Sequence, residues 1–291
     1  IRMTTSLLAL SLLNPDDVAA YPDPGPQYFR TAICLADATP HAYSLVERSD
    51  FIPNIPTLTE PPISGLRMLF ISYPHNPSAS SADLYFYRDL LKSIKFENIL
   101  VVSDSAYIHP GDPDAPSVLQ VKGSKKKAIE IYSFSTAFGI DGLGYVVGHR
   151  DVISILDGIL SALEYRPDVY RVELALAALE RSTEIFAQRK EHIGNLRDIA
   201  SSSLKELGWR IRGNDHTPFL WINPNARSSS LAFARRLITR AGVRLAPGTD
   251  FGEGGEGWLR LALCPDEKLL SEALDRISRH SKIWQRKYKP E

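Results

Sequence analysis

Apolar runs of strand length recur through the first half of the chain at Arg67–Ser72, Ile99–Ser103, Ala128–Ser133 and Leu143–Val147. Runs without polar alternation predict strands of a parallel sheet covered on both faces. Between the first two, Leu84, Tyr87, Leu91 and Ile94 recur at helical spacing, with Ser80 or Ser81 as candidate caps. Earlier still, the apolar stretch Ser6–Leu13 follows Arg2 and Met3, a superficial likeness to a secretory signal, and ends at Asn14-Pro15-Asp16-Asp17. It predicts a buried helix followed by a turn, since a membrane span needs about 20 apolar residues. Val18–Tyr21 is apolar and runs into Pro22-Asp23-Pro24-Gly25-Pro26, where prolines force a loop; a helix and then a strand are expected after it.

After Asp151 the pattern changes. Asp151–Leu163 predicts a helix, and Pro167–Leu207, almost free of breakers, predicts long helices with one interruption. Phe219–Ile222, a helix at Ser229–Ala241, Leu259–Leu263 and a final helix at Glu267–Arg279 then form an α+β unit. The expected organisation is an α/β large domain over residues 1–170, three-layered with a mostly parallel sheet, and a smaller α+β domain over 171–291.

Charge and cysteine usage narrow the function. The 291 residues carry 34 Lys+Arg against 34 Asp+Glu, which leaves no basic field for a phosphate backbone, so no nucleic-acid partner is expected. No membrane partner is expected either. Cys34 and Cys264 lie far apart in no C-x-x-C pattern, so neither a disulfide scaffold nor a metal site is read, and a reducing cytoplasm fits.

Three polar segments end the predicted strands: Ser72–Ser78, Ser103–Tyr107 and Tyr132–Gly139. In open parallel sheets ligands lie beyond the carboxyl ends of strands, so three such ends imply one crevice. Taken singly, each also reads as ordinary turn chemistry: Asp104 as a cap, Asn76 as a turn former before Pro77, Ser133 and Ser135 as loop hydroxyls.

In order, these segments resemble those of the class I/II aminotransferases, pyridoxal-phosphate enzymes of fold type I, and the spacing is similar to the alanine and diaminopimelate aminotransferase subgroup. Pro22-Asp23-Pro24-Gly25 resembles the P-D-P-G-Y-P turn, and Tyr73-Pro74-His75-Asn76-Pro77-Ser78 the N-P-x-N-P-T-G loop. Ser103-Asp104-Ser105-Ala106-Tyr107 is similar to the D-x-A-Y strand end, and Ser133-Phe134-Ser135-Thr136 to the S-x-S-K lysine segment. Gly254-Gly255-Glu256-Gly257-Trp258-Leu259-Arg260 resembles the G-E-G strand that ends in arginine. The resemblance implies that Asp104 holds the ring nitrogen of pyridoxal or pyridoxamine 5′-phosphate, that Asn76 and Tyr107 serve its phenolate oxygen, and that Ser133 and Ser135 belong to the cofactor-binding set. It implies that Arg260 meets the α-carboxylate of an amino acid or 2-oxo acid, and that the chain pairs as a homodimer or with a paralogue.

Several departures accompany the resemblance. Thr136 stands where the family has its cofactor-anchoring lysine, and a hydroxyl cannot replace an amine in that bond. Lys125, Lys126 and Lys127 precede the strand and read as a solvated run. Gly144 stands where the family has a phosphate-binding arginine, Pro26 where it has the aromatic that stacks on the ring, and the resemblance begins where the family's Gly-Ser phosphate loop ends. The cofactor, if bound, is therefore expected to be held non-covalently. The expected function is that of an aminotransferase-like protein with impaired catalysis, in which His75 or His109 would stand as a substitute base. The alternative is a non-catalytic scaffold or regulatory subunit, with Tyr85, Phe86 and Leu7–Leu13 as candidate contact residues.

Overall fold

The computed structural model describes residues 1–59, 63–95, 97–263 and 266–280. Cys264 lies outside the described residues, and Cys34 is a free, exposed thiol. The chain forms two compact units: one from residues 1–22, 26–74 and 81–187, the other from 23–25, 75–80 and 188–291.

In the first unit the order is α1 (Arg2–Leu12), β1 (Val18–Asp23), α2 (Gln27–Leu35), β2 (Thr39–Ser44), α3 (Ile55–Thr59), β3 (Leu66–Ser72), α4 (Leu84–Ser93), β4 (Leu100–Asp104), β5 (Ala128–Ser133), α5 (Phe134–Phe138), β6 (Gly144–Val147), α6 (Arg150–Ala162) and α7 (Val169–Glu180). Its six strands run in the order β2-β1-β3-β4-β5-β6. The pairs β1–β3, β3–β4 and β4–β5 are parallel, while β6 returns antiparallel on β5. Met68 and Phe70 of β3 pack with Leu8 of α1, Phe29 of α2 and Leu156 of α6. Leu69 and Ile71, equally buried, therefore point to the other face. Burial on both faces explains why these strands are continuously apolar and gives the three-layer α/β/α arrangement. The cap of α4 differs from expectation. Asp83, rather than Ser80 or Ser81, accepts the Phe86 N–H at 2.8 Å, because the Ser80 hydroxyl is engaged with Ser78.

Helix α8 (Ser182–Glu206) carries the chain into the second unit, which continues with β7 (Arg210–Arg212), β8 (Phe219–Asn223), α9 (Ser230–Ala241), β9 (Ala246–Pro247), β10 (Leu259–Ala262) and α10 (Glu267–Arg279). Its antiparallel sheet has the order β7-β8-β10-β9. Leu220, Ile222, Leu259 and Leu261 meet Leu196, Leu204, Leu237 and Ile277 in one core. The unit is α+β, an antiparallel sheet with its helices.

Candidate functional site

In the first unit, parallel pairing sets the carboxyl ends of β3, β4 and β5 side by side, with Ser72 opposite Asp104 and Asp104 opposite Ile131. Asp104 is 2% exposed. Its Oδ1 accepts the Ala106 N–H at 3.0 Å, and its Oδ2 accepts a short hydrogen bond from the Tyr28 hydroxyl. Burial pushes the Asp104 carboxyl above the usual carboxylate range despite both donors. Burial, reinforced by the neighbouring Asp104 charge, likewise raises the Tyr28 phenol well above its ordinary value. A carboxylate so placed favours a cationic partner, because ionisation without one is costly in a water-poor site. Tyr107 follows in the same turn and is half-buried.

At the next strand end, α5 is a single turn closed by Gly139 in the left-handed region. The Thr136 hydroxyl donates to the carbonyl oxygens of Ala106 and Ser133, the latter at 3.2 Å, which ties the Asp104 segment to the Ser133 segment. Ser133 and Ser135 bring their Oγ atoms within 2.7 Å. Lys125 and Lys126 are exposed before β5, and Lys127 donates to the carbonyls of Ile94 and Glu97. Gly144 pairs with Ser133, and a Cβ there would lie 2.4 Å from the Tyr132 carbonyl oxygen. No side chain fits at position 144 in this register.

In the second unit, Arg260 on β10 donates from Nη1 to Asn76 Oδ1 at 2.7 Å, and its guanidinium lies 4.7 and 5.1 Å from the ring centres of Phe251 and Phe219. Asn76 is carried by a loop closed by His75 N–H to Ser80 O at 2.7 Å and Ala79 N–H to His75 O at 2.8 Å. Within it His75 Nδ1 and Ser78 Oγ share a 2.6 Å hydrogen bond, and burial brings the imidazole down to about 3. Gly254 and Gly255 answer to close backbone approach. A Cβ on Gly255 would meet Gly248 O at 2.1 Å, and the Gly254 N–H donates to Asp23 Oδ1 at 2.9 Å. Glu256 accepts from Ser230 N and Oγ at 2.7 and 3.0 Å, so it caps α9.

The structure thus gathers Asp104, Tyr107, Ser133, Ser135 and Thr136 on the first unit, and Asn76 and Arg260 on the second. His75 does not have the setting of a base at neutral pH. His75 is buried and held neutral, while His109 is buried, lies 5.2 Å from the Phe186 ring and accepts the Gly111 N–H at 3.0 Å. Sequence reasoning missed Tyr28 and the aromatic pair around Arg260.

Comparison with known proteins follows the same lines. The sequence model described as "Aminotransferase class I and II" matches residues 3–277. The LL-diaminopimelate aminotransferases of Halothermothrix orenii and Aquifex aeolicus are 32% and 31% identical to the chain, over 93% and 92% of its length and 70% of theirs. Apo-BacF from Bacillus subtilis is 26% identical with a TM-score of 0.83, covering 96% of this chain and 72% of that one. The aromatic aminotransferase from Pyrococcus horikoshii shares the fold, with a TM-score of 0.89 at 21% identity over 97% and 77%. Family match, ordered motifs and fold agree, and the chain belongs to the class I and II aminotransferases, a pyridoxal-phosphate-dependent family.

Proposed function

We propose that this chain is an aminotransferase-family protein for amino acids and 2-oxo acids that holds its cofactor without a covalent bond and has lost efficient transamination. The carrying observation is the Thr136 hydroxyl, spent on the carbonyls of Ala106 and Ser133, in a segment whose nearest lysines precede β5. An amine at this position would serve both as anchor and as proton shuttle, and each such role is worth about 10²–10⁴ in rate.

The remaining donor set suits pyridoxal or pyridoxamine 5′-phosphate. The buried Asp104 carboxyl is the partner for a protonated ring nitrogen, and the Ser133–Ser135 hydroxyl pair offers neutral donors to a phosphate. Tyr107, in the same turn as Asp104, is the proposed donor to the phenolate oxygen. The bound cofactor supplies an electron sink for the carbon next to the amine. Arg260, steadied by Asn76, Phe219 and Phe251, is a planar cation matched to a substrate carboxylate. Near 30% identity to LL-diaminopimelate aminotransferases favours amino acids of that class, and a cytoplasmic location suits such chemistry. The test is a half-reaction: the protein loaded with pyridoxamine 5′-phosphate is titrated with 2-oxo acids and its absorbance followed. A slow cofactor-dependent change is expected, and a flat titration with proven cofactor binding overturns the reading.

A second reading, a scaffold or regulatory subunit in a homodimer or with a paralogue, is favoured by α7. That helix buries only Ala175, while Val169 and Tyr170 are 69% and 85% exposed and Leu174 and Leu176 are exposed as well. Of the contact residues expected from sequence, Tyr85 and Leu10 are exposed, whereas Phe86 packs edge-on against Tyr73 and Tyr87, and Leu8, Ala9 and Leu13 are buried. Light scattering decides: a strict monomer, alone and with paralogues, removes this reading. Among the described residues no helix is long and apolar enough to cross a membrane.

A further inference from the structure

The loop that carries Asn76 holds a residue in an unusual backbone conformation. Ala79 is buried at φ +60°, in the left-handed region that residues with a Cβ rarely enter. Such a conformation persists only where its surroundings impose it. Here both polar groups of the residue are engaged: the Ala79 N–H donates to His75 O at 2.8 Å, and the Ala79 carbonyl accepts from Asn214 Nδ2 at 2.6 Å, across 135 positions of sequence. All of these residues belong to the second unit.

The orientation of the Asn214 amide is set by its own turn in the β7–β8 connection. Its Oδ1 accepts the His216 and Thr217 N–H groups at 2.9 and 2.8 Å, which leaves the NH2 group facing the Ala79 carbonyl. Arg212 Nη2 also approaches the loop, but at 3.5 Å from Ser80 Oγ it stands at the limit of a hydrogen bond and adds little. The turn at Ala79 matters because of what precedes it. His75 is bonded through its carbonyl to the Ala79 N–H and through its own N–H to Ser80 O at 2.7 Å, and the next residue, Asn76, accepts Arg260 Nη1 at 2.7 Å. Relaxation of Ala79 to a negative φ would turn its carbonyl from Asn214 and the Ser80 carbonyl from His75, and so release the backbone that seats the Asn76 amide.

We infer that Asn214 is a positioning residue for carboxylate recognition: it holds Ala79 in the left-handed turn and thereby sets the Asn76 amide against which the Arg260 guanidinium is oriented. The inference rests on the functional reading above for the role of Arg260. Asn214 acts through Ala79 and Asn76 rather than by contact with the ligand, so its effect falls on the preference for a carboxylate and not on binding in general.

The probes are pyruvate, the smallest 2-oxo acid, and methyl pyruvate, which keeps the oxo group and lacks the charge. Their affinities for the full chain loaded with pyridoxamine 5′-phosphate are measured by calorimetry in the wild type, Asn214→Ser, Ala79→Gly and the double variant. Serine keeps an oxygen for the N–H groups of the turn but is too short to reach the Ala79 carbonyl, and glycine adopts the same φ without a clamp. The wild type and Ala79→Gly are expected to prefer pyruvate by about tenfold or more, Asn214→Ser by about threefold or less, and the double variant to regain about tenfold. An Asn214 of merely structural importance would lower both affinities alike and leave the preference unmoved. A wild type without the preference, a full preference in Asn214→Ser, or a loss that Ala79→Gly does not restore overturns the inference. The half-reaction is read separately, so the failures separate. A preference lost in Asn214→Ser and restored by glycine, without any half-reaction, sinks the proposed function alone, while a half-reaction with the preference intact in Asn214→Ser sinks the inference alone.

Discussion

Arg260 donates from Nη1 to Asn76 Oδ1 at 2.7 Å, so the last strand of the small sheet and the His75–Ser80 loop share one hydrogen bond. The bond fixes the plane of a guanidinium that two phenyl rings already flank. Lysine at this position keeps the charge but loses both the fork and the stacking. Arg260→Lys is expected to weaken 2-oxo acid binding by about 10–100-fold, the scale of one hydrogen bond to a charged group, in calorimetric titration of the cofactor-loaded protein. Undiminished binding would remove Arg260 from carboxylate recognition.

Asp104 makes stability depend on pH. Its folded carboxyl titrates above the unfolded value because it is buried, so the folded state holds the proton more tightly. Stability is then fully present below the unfolded value, about pH 4, and is lost as pH rises through the elevated folded value. Asp104→Asn keeps an acceptor for Ala106 and a partner for Tyr28 without the charge. The cofactor-free variant is expected to melt higher than wild type at pH 7, with the difference closing toward pH 4, in calorimetric scans. A pH-independent difference would contradict the buried charge.

His75 acts with the opposite sign. Burial brings its imidazole to about 3, so it stays neutral in the fold while the unfolded chain takes up a proton near pH 6.5. Its contribution is present above about pH 6.5 and falls below it by up to about 1.4 kcal/mol per pH unit. Imidazole resonances of His75 should stay fixed between pH 5 and 8 in NMR, and a midpoint near 6.5 would mean that the ring is not buried in the fold.

Gly144 is expected to refuse any side chain. With a Cβ 2.4 Å from the Tyr132 carbonyl, Gly144→Ala forces the β5–β6 ladder apart and should cost about 1–3 kcal/mol in chemical denaturation, and Gly144→Arg no less. A neutral Gly144→Ala would show that the hairpin has another register.

Much of this architecture could be read along the chain because β3, β4 and β5 are buried on both faces, and such strands announce themselves as unbroken apolar runs. Edge strand β2 could not be read as such a run: four of its six residues are exposed and it carries Pro40. Three-residue β7 was too short to carry a period. Within the candidate site, the ordered motifs located Asp104, Asn76 and Arg260. The Tyr28 hydroxyl on Asp104 spans 76 positions, and Arg2 over Tyr28 is likewise a product of folding, so no local pattern encodes either. The burial of His75 and His109 has no local signature either, because it is set by elements distant in sequence.

Position 136 decides most directly whether the cofactor is held without a covalent bond. Wild type and Thr136→Lys are each incubated with pyridoxal 5′-phosphate, reduced with borohydride and mapped by peptide mass spectrometry. The wild type is predicted to carry no stoichiometric phosphopyridoxyl group on any lysine, and the variant to carry one at position 136. A full equivalent on a native lysine of the wild type, removed when that lysine is replaced, would contradict it.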